Sequence, residues 1–267
     1  MTPRVTVPEL GRLKRAGQRI VCVTAYDYTF AKLFGEAGVD ILLVGDSLGM
    51  VILGHETTLP VTLEQMIHHA TAVVRGAGRA LVVCDMPFGE CHGPAHRVMD
   101  AAVRILKESG CQAVKLEGGV RMVETIRYLT GHHIPVMAHV GLTPQSVHAF
   151  GGFKVQGRGE AAAQVLEDAL AVEQAGACAV ILEGIPTPLA TQVTQRLTIP
   201  TIGIGAGPGC DGQVLVGYDL LGLFDGVRPR FVKHYLEGGQ TVMEAVARFA
   251  QEVRDGVFPA PEHGFDP

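Results

Sequence analysis

The sequence predicts an α/β fold, a single (β/α)8 TIM barrel spanning residues 1–267, with a short N-terminal helix covering the barrel bottom. Three observations carry this. Eight short apolar runs recur along the chain, each followed by a turn signal and then a longer stretch with helical spacing. Most of the runs, such as ILLV at 41–44 and AVIL at 179–182, are continuously apolar, as parallel strands covered on both faces should be. At 267 residues, 47% of them hydrophobic, the chain can bury one large core, and that length suits one barrel better than two ordinary domains. An open doubly wound sheet is the alternative; eight regularly spaced strands without a separate substrate domain favour closure.

In chain order, a short amphipathic helix is expected at 8–16, placed to cover the barrel bottom. Strands are expected at 20–26, 41–45, 80–85, 113–117, 135–140, 179–183, 200–205 and 213–218. Between them, Thr62 can cap a helix with Gln65 at the capping-box position, and Pro94 can open another that ends near Gly110. Further helices are expected near 123–130, 160–175, 188–196 and 242–253, and the Pro-rich tail from Phe258 is expected to be irregular and without a catalytic part.

Composition removes several classes of function. The formal charge of -5, with Lys and Arg scattered, leaves no basic footprint for nucleic acid. Residues 1–17 lack the apolar core and cleavage site of a secretory signal. No apolar run approaches the roughly 20 residues that cross a bilayer, so no membrane partner is expected. Cys22, Cys84, Cys91, Cys111, Cys178 and Cys210 form no Cys-x-x-Cys pair and read as small core residues in a reducing, cytoplasmic setting.

Active sites of parallel barrels lie at the carboxyl ends of the strands, so polar residues that close apolar runs carry weight. The second run ends in Asp46 and Ser47, the third in Asp85, the fourth carries Lys115 and Glu117, the fifth His139, and the sixth closes with Glu183. Neighbouring strands lie about 4.8 Å apart, so Asp46, Asp85 and Glu117 can converge on one point. Three such charges either raise their pKa values or take a cation, and an all-oxygen set suits Mg2+ better than zinc. Each aspartate taken singly could instead cap the following helix. Lys115, two residues before Glu117 and on the same face, can hold a substrate carboxylate or complete a buried ion pair.

Glu183, expected across the barrel from the metal, follows an apolar run whose partial desolvation suits a general base. His139 is expected to touch substrate, whereas His68, His69, His132 and His133 read as surface residues. Asp219, on the rim after the eighth strand, has no assigned task. The glycines of 203–207 fit a phosphate loop, tight turns or room for a flat ligand, and the loop 50–59 is long enough to act as a lid.

The strings VGDSLG (44–49), GHETTLPVT (54–62), DMPFG (85–89) and KLEGG (115–119) together resemble the ketopantoate hydroxymethyltransferase family. HVGLTPQ (139–145), LE (182–183) and IGIGAG (202–207) extend the likeness through the later strands. The resemblance implies that Asp46, Asp85 and Glu117 surround Mg2+, that Asp46, Ser47, Asp85 and Lys115 hold an oxoacid, and that Glu183 accepts a proton. It also implies hydroxymethyl transfer from 5,10-methylenetetrahydrofolate to 3-methyl-2-oxobutanoate through a Mg2+-stabilised enolate, in a homodecamer. The alternatives are a carbon–carbon lyase or mutase of the phosphoenolpyruvate-binding barrels, although no Lys-x-Cys-Gly-His loop is present, or a non-catalytic barrel that binds an oxoacid.

Overall fold

In the computed structural model, which describes residues 3–267, eight parallel strands close on themselves in sequence order. They are β1 (Ile20–Thr24), β2 (Ile41–Val44), β3 (Leu81–Asp85), β4 (Ala113–Glu117), β5 (Val136–Gly141), β6 (Ala179–Glu183), β7 (Thr201–Ile204) and β8 (Gly212–Leu215). The last meets the first with Ile20 opposite Gly212, which leaves no exposed sheet edge.

Helices fill the crossovers. α1 (Val7–Arg15) precedes β1 and α2 (Tyr28–Glu36) follows it; α3 (Leu48–Val51) and α4 (Leu63–Gly76) lie between β2 and β3. α5 (Ala95–Arg104) runs through a π-helical turn at Ile105–Ser109 and stops at Gly110, whose φ of 82° the absence of a side chain permits. α6 (Val123–Gly131) leads to β5, α7 (Val147–Phe150) and α8 (Ala161–Gln174) to β6, and α9 (Thr187–Arg196) to β7. α10 (Gly217–Leu220) and α11 (Val242–Asp255) complete the ring. The expected cap of α4 forms in full: the Thr62 amide donates to Gln65 Oε1 at 2.8 Å, and the Gln65 amide donates to Thr62 Oγ1 at 3.2 Å.

The eighth strand is shorter than its apolar run predicts. Gly217 donates its N–H to Thr24 Oγ1 at 2.9 Å, and a side chain there would run into the Thr24 carbonyl, so the chain turns against β1 and coils into α10.

Each strand divides its residues by parity. Val82, Cys84, Val114, Leu116, Ala138, Val140, Val180 and Leu182 face the helices, whereas Leu81, Val83, Ala113, Met137, Ala179, Ile181 and Ile204 fill the barrel. Val5 and Leu10 pack with Ile20, Ile41, Leu81, Ala113 and Ala179, each the first residue of its strand, so α1 plugs the bottom as expected. Burying Leu10 there contributes about 2 kcal/mol. An apolar bottom leaves the polar inward positions at the carboxyl ends.

Candidate active site

Asp85, Lys115, Glu117, His139 and Glu183 have the parity of the barrel interior, one or two steps above its apolar layers. Register sets Asp85 beside Lys115 and Glu117 beside His139. Asp46 and Ser47 follow β2 at the same level, because the Asp46 amide donates to Asp85 Oδ2 at 3.0 Å. Lys115 Nζ lies 2.9 Å from Asp85 Oδ1 and 3.7 Å from Glu117 Oε1. Asp46, Asp85, Lys115, Glu117 and His139 are all buried, at 2–6% exposure. All seven predicted site residues line one cavity of about 760 Å3 at the carboxyl face.

Burial sets the electrostatics. It pushes the Asp46 carboxyl up to about 7, helped by the charge of Asp85 and opposed by Lys115 and Gln145. It also raises Glu117 well above the usual carboxylate range, against the pull of Lys115. Burial alone would lower Lys115, but Asp85, Glu117 and Asp46 together hold it protonated. The cluster therefore contains one firm cation and carboxyls that resist full ionisation.

Glu183 closes β6, four of eight strands from Asp46 after β2 and three from Asp85 on β3, and so stands roughly across the barrel from them, as expected. It lies two strands along from Glu117, with His139 between: His139 Nδ1 is 3.6 Å from Glu117 Oε1, and Nε2 is 3.2 Å from Glu183 Oε2. Burial, and then the charge of Lys115, lower the pKa of His139, so the ring is neutral and can donate from only one nitrogen.

The donor chemistry fits a hard divalent cation. Asp85 Oδ1 and Glu117 Oε1 are buried beside Asp46 in an all-oxygen set, with the Lys115 ammonium at 2.9 and 3.7 Å as their charge partner. Among the described residues no three His, Cys, Asp or Glu side chains already form a closed metal-holding group, and the Lys115 ammonium lies against Asp85.

Several contributors were not singled out from the sequence. Gln145 donates its side-chain N–H groups to Asp46 Oδ2 at 2.8 Å and to the Met86 carbonyl at 3.0 Å, while its backbone N–H donates to Glu117 Oε2 at 2.9 Å. Gly217 N–H donates to Thr24 Oγ1, Thr24 donates to Tyr26 Oη at 2.8 Å, and Tyr26 is 2.8 Å from Ser47 Oγ. Either hydroxyl of the Tyr26–Ser47 pair can donate, and Ser47 lines the cavity at the end of this chain of hydroxyls. Thr24 closes its strand as the carboxylates close theirs, and that was the available signal.

Other expectations are refined. His68, His132 and His133 are exposed, but His69 is half-buried with Nδ1 2.7 Å from the Tyr26 carbonyl. Gly205, at φ 58°, leaves room for Phe231 and Phe265, both of which line the cavity, so the tail reaches the site after all. Met50, Val51, Glu56 and Thr58 of the long loop form part of the cavity wall. All six cysteines are free, and Cys178 alone is less than fully buried.

A family model described as ketopantoate hydroxymethyltransferase matches residues 4–261. The 3-methyl-2-oxobutanoate hydroxymethyltransferase of Magnetococcus marinus is 61% identical, covering 100% of both chains. That of Heliobacterium modesticaldum is 54% identical over 99% of this chain and 96% of its own. Among solved structures, oxaloacetate acetylhydrolase in complex with 3,3-difluorooxalacetate is similar with a TM-score of 0.63 at 18% identity, covering 97% of this chain and 99% of that one. 2,3-Dimethylmalate lyase, a PEP mutase/isocitrate lyase superfamily member, gives 0.61 at 20% identity, covering 82% and 84%. At such identities these structures share the barrel and nothing more is drawn from them. The matches along the whole length have one meaning: the chain belongs to the ketopantoate hydroxymethyltransferase family.

Proposed function

We propose that this barrel transfers a hydroxymethyl group from 5,10-methylenetetrahydrofolate to 3-methyl-2-oxobutanoate, giving 2-dehydropantoate on the route to pantothenate and coenzyme A. The observation that carries the reading is the meeting, in one cavity, of a buried carboxylate–lysine cluster with the less buried Glu183 beside it. The names of the full-length relatives agree with it.

Lys115 and the Ser47 hydroxyl face the oxoacid's carboxylate and keto oxygens, Lys115 as the charged donor. Asp46, Asp85 and Glu117 would hold Mg2+, which when bound supplies positive charge where negative charge grows on those oxygens. Glu183 takes the proton from C3, and His139, 3.2 Å from its carboxylate, keeps it oriented. The carbon freed of its proton then attacks the folate's methylene carbon as one of its C–N bonds breaks. Water supplies the hydroxyl as the second C–N bond breaks, and the proton from C3 and one from water restore the two N–H groups of the departing tetrahydrofolate. The apolar upper wall limits competing water during that step.

The lyase or mutase alternative rests on barrels that share the fold at 20% identity or less, whereas the transferase relatives exceed 50% identity along the full chain. Incubation with 3-methyl-2-oxobutanoate, 5,10-methylenetetrahydrofolate and Mg2+ tests the reading. Formation of 2-dehydropantoate is expected; its absence under conditions where the oxoacid binds would leave an oxoacid-binding barrel. A cytoplasmic setting accords with six free cysteines, and the homodecamer implied by family resemblance is tested by light scattering.

A further inference from the structure

The cavity has a second polar end that the reaction at Glu183 does not use. Asp219, four residues beyond the end of β8, lines it together with Phe224, Phe231 and Phe265. Burial alone raises the Asp219 carboxyl to about 6, with no cation or hydrogen-bond donor offsetting the cost. It lines the same cavity as Ser47. A half-buried carboxylate without a partner, in a cavity whose lining also holds three aromatic rings, suits a flat ligand that brings its own N–H donors.

The cavity of about 760 Å3 is in the range that holds a drug-sized molecule, far more than a five-carbon oxoacid fills. β8 stands two strands from β6, about 10 Å at the usual spacing. That span is the reach of a bicyclic ring plus one hydrogen bond of about 2.9 Å. A 2-amino-4-oxopteridine presents two adjacent N–H groups on one edge, the pattern a carboxylate accepts as a pair, and carries its one-carbon unit on the far side. Arg228 and Arg230 stand exposed at the rim of the same cavity, where the anionic glutamate tail of a folate would leave the ring.

We infer that the outer part of the cavity seats the one-carbon donor, with Asp219 accepting from the amino-pyrimidine edge of its pteridine and Phe224, Phe231 and Phe265 packing on the ring. This inference rests on the hydroxymethyl-transfer reading and locates its second substrate. It makes Asp219 a donor-binding residue, separate from the oxoacid cluster.

The test compares wild-type protein and Asp219→Asn, with 5,10-methylenetetrahydrofolate and with an analogue whose 2-amino group is replaced by methyl. Asn keeps the size of the side chain but matches the N–H pair with only one acceptor. Expected is a rise of about tenfold or more in the KM for the natural donor, with the KM for the oxoacid within about twofold of wild type. The analogue should suffer a penalty of about tenfold in wild type that largely disappears in Asp219→Asn. Phe224→Ala, on the exposed side of the cavity, should raise the donor KM in the same selective way. A donor KM within twofold of wild type in Asp219→Asn, or an analogue penalty the variant leaves intact, overturns the inference while transfer itself stands. A wild-type protein that makes no 2-dehydropantoate overturns both readings.

Discussion

The Gln145 side chain donates to Asp46 Oδ2 at 2.8 Å, and so a residue of the turn after β5 fixes a carboxylate at the end of β2. Its second amide hydrogen goes to the Met86 carbonyl at 3.0 Å, so the amide cannot rotate without losing both bonds. Gln145→Ala removes the partner of Asp46 but retains the backbone donor to Glu117. The expected outcome is a kcat/KM lower by about 10–100-fold with weakened Mg2+ affinity and an intact fold, as for partners that orient metal ligands. Steady-state kinetics and calorimetry check it.

Lys115→Met takes the ammonium from beside Asp85 and Glu117 in a region closed to solvent. Uncompensated carboxylates must then take up protons or destabilise the barrel. Stability should fall by about 3–5 kcal/mol in chemical denaturation, and kcat/KM by about 10²–10³ because a donor to the substrate is lost.

The raised carboxyl of Asp46 makes a signed prediction. Its pKa is about 7 in the fold against 3.8 ordinarily, so between these values the folded state binds more protons than the unfolded one. Its stabilising contribution is complete below the unfolded value and is lost as pH rises through about 7. Asp46→Asn abolishes this titration. Without added metal, the melting temperature of the variant relative to wild type should therefore rise from pH 5 to pH 7.5 and level off above. Mg2+ bound by the wild type alone should reverse the difference at pH 8.

Asp85→Ala and Glu117→Ala each delete a buried carboxylate whose charge partner in the cluster is the Lys115 ammonium. Both variants are expected to fold and to lose Mg2+ binding together with metal-dependent turnover. Calorimetric titration reads this directly, and wild-type affinity in both would contradict the metal assignment.

The sequence foretold the barrel because apolar runs and turn signals are local, and it foretold the cluster because strand-end polarity survives any detail of packing. Asp85, Lys115, Glu117, His139 and Glu183 needed only their parity and strand order. What it hid depends on contacts across the barrel. Gln145 reaches Asp46 from 99 positions away, and Tyr26 joins Ser47 to Thr24 only because β1 and β2 pair in a particular register. Glu183 stands across the barrel from Asp46 and Asp85 as strand order implies, whereas its link to Glu117 through His139 on β5 is a side-chain contact that strand order alone does not show. The tail read as irregular carries one 3-10 turn at Pro261–His263, and nothing local announces that Gly205 makes room for Phe265.

Proton removal by Glu183 is the central claim, and exchange of the C3 hydrogen of 3-methyl-2-oxobutanoate in deuterated water with Mg2+ and no folate measures it without the second half of the reaction. Wild-type protein should exchange that hydrogen, and Glu183→Gln should slow exchange by about 10²–10⁴-fold while still binding the oxoacid. Exchange at the wild-type rate in Glu183→Gln would contradict the account.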